Sequence, residues 1–153
     1  MSDQDRYYWQ DVAVLRWAAK GFRGVVVAPT GAGKSYVAVK AIRLALSEGV
    51  KPILYVVPTN ALLQQQYMLL ANHFLGVSRF NGSDKRINTV TVTTYSSAYR
   101  YLERFERVFR LAVFDECHHL YSSGLWGGIL RAFRRGDKCF LGLTATPDFQ
   151  LSF

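Results

Sequence analysis

Eight consecutive residues and a pair of adjacent carboxylates carry the chemistry that this sequence offers most plainly. The run Ala28-Pro29-Thr30-Gly31-Ala32-Gly33-Lys34-Ser35 fits the phosphate-loop pattern G-x-x-x-x-G-K-[ST], with Ala28 standing where the first glycine usually sits. Gly31 and Gly33 allow the backbone to curl so that successive N–H groups, with Thr30 and Ala32 among their carriers, point at phosphate oxygens. A helix opening at Lys34 adds its partial positive charge to the same site. Lys34 would then reach the β- and γ-phosphates, and the Ser35 hydroxyl would hold magnesium. A glycine-rich turn with an incidental lysine is the bland alternative. The apolar run before it and the helical pattern after it argue against that alternative.

The second feature is Leu111-Ala112-Val113-Phe114-Asp115-Glu116, an apolar strand ending in two carboxylates. In phosphate-loop enzymes an acidic residue at the end of a strand completes the magnesium site, and a neighbouring glutamate polarises the attacking water. Asp115 is thus expected in the metal shell with Ser35, and Glu116 as general base. Cys117, His118 and His119 follow directly, and Cys139 lies further on. They do not make a zinc site, because three adjacent residues seldom converge on one ion and the C-x₂₋₄-C and H-x₃₋₅-H spacings are missing. Cys139 is also expected at the start of its strand, the opposite sheet edge from Cys117.

Positioning these groups requires strands that end where helices begin. Residues 24–29, 52–58, 88–95, 110–115 and 138–144 are near-continuous apolar runs rich in β-branched and aromatic residues, suited to strands buried on both faces. Helices are expected over residues 8–20, with Trp9, Val12, Leu15 and Trp17 near helical spacing and Gly21 as the stop, and over 35–47, 60–75 and 125–135. Residues 76–88 read as an exposed loop, with a short strand at 77–80 left open. Alternation of strands and helices implies right-handed crossovers and a mostly parallel sheet with helices on both faces. Ligands in such sheets gather at the carboxyl ends of the strands, where both motifs sit.

The chain has 153 residues, the size of one domain, and half of them are hydrophobic. Nineteen Lys and Arg against eleven Asp and Glu give a formal charge of +8, which attracts phosphate backbones or acidic partners without choosing between them. A late basic cluster, Arg131, Arg134, Arg135 and Lys138, is either a solvated helix face or a nucleic-acid contact. No apolar run is long enough to span a bilayer and no basic amphipathic helix stands out, so no membrane role is expected. Two cysteines and no secretory pattern suit a soluble cytoplasmic setting.

These residues carry a family likeness. Asp115-Glu116-Cys117-His118 resembles the DExH box of superfamily-two helicases and translocases, and residues 28–35 resemble the same family's motif I. Gln10, read as lying ahead of the first helix, is placed like the glutamine that reads adenine. Val57-Pro58-Thr59-Asn60-Ala61-Leu62 resembles motif Ia, Val92-Thr93-Thr94-Tyr95-Ser96 motif Ib, and Leu143-Thr144-Ala145-Thr146-Pro147 motif III. The motifs occur in the family's order and span nearly the whole chain. The resemblance implies one RecA-like lobe over residues 1–153, with ATP and magnesium as ligands. It implies nucleic-acid contacts at Pro58, Thr59, Asn60 and Thr94, and coupling of nucleotide to nucleic acid through His118, Thr144 and Thr146. It further implies a second RecA-like lobe carrying an arginine finger, which Arg131, Arg134 and Arg135 are not expected to replace.

The expected function is the ATP-binding lobe of a nucleic-acid-dependent ATPase, acting on DNA or RNA. It would be completed by a second lobe in trans or by self-association, with little turnover alone. The alternative is a non-catalytic module that binds nucleic acid or a protein partner. A small-molecule kinase does not suit the DExH box or the Thr-Ala-Thr segment.

Overall fold

The computed structural model describes residues 2–28, 33–118, 120 and 126–145. Helix α1 (Asp3–Ala19) starts earlier than its apolar spacing suggests, because Ser2 and Asp5 form a reciprocal capping box: the Ser2 hydroxyl accepts from the Asp5 N–H at 3.1 Å and the Asp5 carboxylate accepts from the Ser2 N–H at 3.3 Å. Its inward seam is Gln10, Val14 and Trp17 at i, i+4 and i+7, whereas Leu15 points outward and is 63% exposed. Gly21, at φ +77°, ends the helix as its position implies.

Strand β1 (Arg23–Val27) leads to α2 (Lys34–Ser47), β2 (Ile53–Val57) and α3 (Asn60–His73). There follow β3 (Val77–Asn81), a two-residue β4 (Asp84–Lys85), and β5 (Val90–Thr94). Helices α4 (Tyr95–Arg100) and α5 (Leu102–Val108), β6 (Leu111–Phe114), α6 (Gly127–Arg134) and β7 (Cys139–Thr144) complete the described elements. The segment 76–88 is therefore not a plain loop. It folds into a parallel strand and a short antiparallel return, tied by the Ser78 hydroxyl donating to the Arg86 carbonyl at 2.8 Å.

The seven strands lie in the order β1-β7-β6-β2-β5-β3-β4, parallel throughout except at the β3–β4 pair. Alternate residues of each central strand face opposite layers, as the pleat requires. Ile53, Tyr55, Val57, Leu111, Val113, Leu141 and Leu143 pack with α1, α2 and α3 on one side. Leu54, Val56, Ala112, Phe114 and Phe140 pack with α4, α5 and α6 on the other. Burial on both faces explains why these strands read as continuous apolar runs. The result is the expected sheet with helices on both faces. No helix among the described residues is long and apolar enough to cross a membrane.

Candidate nucleotide site and nucleic-acid face

Both chemical motifs converge at the carboxyl edge of the sheet. Residues 29–32 lie outside the described residues, and with them Thr30, Gly31 and Ala32; so does Thr146. Gly33 caps α2 with φ +83°, a left-handed conformation that glycine adopts without Cβ strain. From the first turn of α2, the Lys34 ammonium sits between the two carboxylates. It is bonded to Glu116 Oε1 and lies 3.5 Å from Asp115 Oδ1, with its side chain only 18% exposed. Ser35 follows, partly buried, on the same turn.

Asp115 directly follows β6 and is buried. Burial pushes its carboxyl above the ordinary carboxylate range, Lys34 pulls it back down, and Glu116 pushes it up again. Four further contacts define the residue. Its N–H donates to the Val56 carbonyl at 2.9 Å, and its Oδ1 accepts from the Glu116 N–H at 2.9 Å. Its Oδ2 accepts from the Tyr55 hydroxyl at 3.3 Å, and its main-chain carbonyl accepts from the Tyr95 hydroxyl at 2.6 Å. Burial also holds both tyrosines far above the usual phenol range, so each remains a proton donor. Strand aromatics of this kind read in sequence only as core, and nothing in the spacing marks Tyr55 or Tyr95 as neighbours of the acid.

Glu116 has φ +50°, a left-handed conformation that costs a non-glycine residue about 1–2 kcal/mol. The Asp115 carboxylate on its own N–H and the Cys117 N–H on the Leu143 carbonyl, 2.9 Å away, brace that turn. The turn brings the glutamate onto Lys34. His118 then lies with Nδ1 3.5 Å from Glu116 Oε2 and 3.2 Å from the buried Thr144 hydroxyl at the end of β7. The acidic turn and the last strand thus touch through side chains as well as backbone.

A magnesium ion suits this donor set. Among the described residues no group of three His, Cys, Asp or Glu is arranged to hold a metal ion by itself. Magnesium is commonly held by one or two carboxylates and the substrate's phosphates rather than by an all-protein cage. The acidic pair already accepts a cation, the ammonium of Lys34. Zinc does not suit the cysteines. Cys139 pairs with Leu111 at the start of β6, whereas Cys117 lies beyond the other end of that strand, with its N–H on the carbonyl of Leu143, four residues along β7 from Cys139. Cys117 is instead a packed core thiol, pushed up to about 12 by burial.

Gln10 departs from its expected place. It lies inside α1, 1% exposed, and its side-chain amide donates to the Gly33 carbonyl at 3.4 Å. It shares the buried face of α1 with Val14 and Trp17, and its bond ties the first helix to the end of the phosphate loop.

Thr59 and Thr94 are both helix N-caps: their hydroxyls accept from the Leu62 and Ser97 N–H groups, each at 3.2 Å. A capping hydroxyl keeps its own proton for donation. Pro58 is half-buried and Thr59 and Asn60 are exposed at the end of β2, but Thr94 is only 8% exposed. Asn60 Oδ1 accepts from the Asn81 side chain at 3.2 Å, joining this segment to the end of β3.

The late basic residues, left open between a solvated face and a nucleic-acid contact, are partly engaged by the main chain. Lys138 donates to the Phe109 carbonyl at 2.7 Å, and the Arg134 carbonyl accepts from Arg23. Arg134 and Lys138 thus lie where β7 begins, whereas the Arg131 guanidinium folds back against Gly127 and Gly128 at the start of α6. Three further cations, Lys85, Arg100 and Arg104, gather at the Tyr101 and Phe80 rings. Lys85 and Arg100 lie 5.3 and 5.8 Å from the Tyr101 ring, and Arg104 lies 5.7 Å from that of Phe80. Lys85 also hydrogen-bonds the Tyr101 hydroxyl and draws its pKa down. Gly82, Lys85, Ser96, Ser97, Arg100 and Tyr101 line a cleft of about 140 Å³ beside Thr94. These residues are scattered through residues 82–104, so no charge run announces them. A larger groove of about 270 Å³ runs between α1 and β1, with Trp9, Trp17 and Val25 in its lining, and none of the acidic residues borders it.

Residues 4–149 match the family described as Type III restriction enzyme, res subunit. The chain is 37% identical over 142 residues to the DNA 3'-5' translocase XPB2 of Sulfurisphaera tokodaii, covering 92% of this chain and 30% of that protein. It is 35% identical over 155 residues to the DNA 3'-5' helicase XPB of Mycobacterium tuberculosis, covering 94% of this chain and 26% of that one. It therefore spans less than a third of the length of these relatives. In fold it resembles the UvsW helicase of bacteriophage T4 (TM-score 0.75, 22% identity, 91% of this chain and 52% of that one). It also resembles the Hef helicase domain of Pyrococcus furiosus (TM-score 0.76, 24% identity, 93% of this chain and 33% of that one). With a carboxyl-edge site in a RecA-like sheet and a family match over nearly its whole length, the chain belongs to the Type III restriction enzyme res subunit family, as an N-terminal lobe of the superfamily-two helicase type.

Proposed function

We propose that this lobe binds ATP with magnesium and, closed against a second RecA-like lobe, hydrolyses it in response to nucleic acid. The observation that carries this reading is the Lys34 ammonium, at the start of α2, held between Asp115 and Glu116. Phosphate oxygens compete with those carboxylates for the ammonium. When Lys34 engages the γ-phosphate, the Glu116 carboxylate is released to take a proton from the attacking water. Ser35 and Asp115 would hold magnesium, which supplies charge neutralisation on the phosphates. Thr30, Gly31, Ala32 and Gly33 would cradle the phosphates, and Gln10 would set the adenine end through its hold on Gly33. His118, Thr144 and Thr146 would carry the nucleotide's state to the rest of the lobe, as in a DExH box.

Nucleic acid would cross the other half of the same edge. Pro58, Thr59, Asn60 and Thr94 lie there, and Lys85 and Arg100 extend the path with charge that Thr94, nearly buried, does not supply. The XPB relatives are named for DNA, which favours DNA over RNA here. The domain assignment, one lobe over 1–153 working with another in trans or through self-association, belongs to the same reading.

The experiment is ATP hydrolysis by the purified chain with and without single- and double-stranded DNA and RNA, alone and with a second lobe supplied. Turnover that rises with DNA and with the second lobe is expected. Failure to bind ATP at all would overturn the reading. The basic cleft favours one alternative, a lobe that binds nucleic acid without catalysis. Binding that survives Lys34→Ala and ignores ATP would establish it.

A further inference from the structure

We propose that Tyr55 and Tyr95 are positioning residues that clamp Asp115 from the two faces of the sheet and fix the carboxylate for its metal. This rests on the reading of Asp115 as a magnesium ligand. Tyr55 is the middle residue of β2 and pairs with Val113 of β6. Asp115 lies two residues beyond Val113, so the pleat carries it to the same face, where the Tyr55 hydroxyl meets Oδ2 at 3.3 Å. Tyr95 opens α4 and belongs to the opposite layer, stacked against Trp126 at 5.1 Å between ring centroids. Its hydroxyl crosses to the Asp115 main-chain carbonyl at 2.6 Å.

The two contacts do different things. Tyr55 settles which way the carboxylate plane faces, because Oδ2 is held and Oδ1 is left toward Lys34 and the Glu116 N–H. Tyr95 anchors the peptide that joins Asp115 to Glu116, the start of the left-handed turn. Both rings are fully buried, so neither hydroxyl can be replaced by bulk water when it is removed. A buried tyrosine normally finds some partner; here two find the same acid, from opposite sides, and one of the two contacts falls on the carboxylate itself. Outer-shell partners of metal ligands orient them, and their removal commonly lowers metal affinity by about 10–100-fold.

The test is magnesium titration of fluorescent ATP-analogue binding to the wild-type chain, Tyr55→Phe and Tyr95→Phe, with analogue binding in EDTA and thermal unfolding measured beside it. Each variant is expected to need about tenfold more magnesium or more for half-maximal enhancement of binding, while binding in EDTA holds. A variant whose magnesium midpoint equals the wild type's overturns the proposal for that tyrosine, and Tyr95→Phe carries the test should Tyr55→Phe not fold. A wild-type chain that binds the analogue with no magnesium dependence overturns the metal reading of Asp115 and the clamp with it. A loss of binding in EDTA equal to the loss in magnesium also overturns the clamp, because it marks a general structural defect.

Discussion

His118 Nδ1 and Thr144 Oγ1 lie 3.2 Å apart, joining the turn after β6 to the end of β7. The same imidazole nitrogen is 3.5 Å from Glu116 Oε2, so one ring touches the proposed base and the neighbouring strand. Thr144 is fully buried and cannot follow a moving partner, which makes His118 the adjustable member of the pair. Thr144→Val keeps the shape and removes the hydroxyl. In a complex with the second lobe, it should lower DNA stimulation of hydrolysis about fivefold or more, a coupling energy of the usual allosteric size. ATPase rates with and without DNA read this directly, and an unchanged stimulation ratio would remove His118–Thr144 from the coupling path.

Glu116→Gln removes the proton acceptor and breaks the ion pair with Lys34 while keeping the side chain's shape. Hydrolysis should fall by about 10²–10⁴-fold, the ordinary range for loss of a general base. ATP binding should persist, since Lys34 is left freer for phosphate. Single-turnover hydrolysis and equilibrium binding, measured on one preparation, separate the two effects.

Asp115 makes stability depend on pH in a definite direction. Folding raises its pKa, chiefly by burial, so the stability tied to its protonated form is fully present below the ordinary carboxylate value and is lost as pH rises through the folded value. At neutral pH the ionised group is a net cost to the fold. Asp115→Asn should therefore raise Tm at pH 7, with the gain shrinking as the pH falls toward about 4 and levelling off below it. Melting curves of both proteins across that range check the sign, and a variant less stable at pH 7 would contradict it.

Gly142 tests the packing beneath the acidic turn. A Cβ there would stand 2.9 Å from Val25 Cγ2, closer than such atoms approach, and 3.1 Å from Cys117 Sγ, tighter than most such contacts. Gly142→Ala should destabilise the chain by roughly 1–3 kcal/mol, as overpacking does, measured by urea unfolding. In the native wild type, the Cys117 thiol, raised to about 12 and buried, should resist alkylation at pH 8 and react once the chain unfolds.

The parts of this architecture that were legible in sequence are those where local chemistry and tertiary position agree. Val25, Val56, Val113 and Leu141 lie in runs apolar on both pleats, and residues 34–47 follow a glycine that must cap a helix. The acidic pair was legible because its strand ends at it. The segment from Val77 to Lys85 was not, since Arg79, Asn81 and Asp84 read as solvent-loving. Arg79 is held instead by Gln64 at 2.7 Å and by the Tyr67 ring at 4.6 Å. Helices α4 and α5 are six and seven residues long, too short to display a period. Tyr55 and Tyr95 gained their meaning from β2, β5 and β6 lying side by side, a fact of topology that spacing along the chain does not hold.

The pairing of β1 with β7 also has a consequence in time. Among the described residues the phosphate-loop strand pairs with one neighbour, β7, the last strand described: Ala28 donates its N–H to Thr144, more than a hundred residues later. Such long-range closure is slow relative to local contacts. During synthesis β1 cannot make this pairing until β7 has emerged. Nucleotide affinity should accordingly be the last property to return in refolding, after the helical signal is complete, so that ATP binding serves as a late clock for the finished sheet.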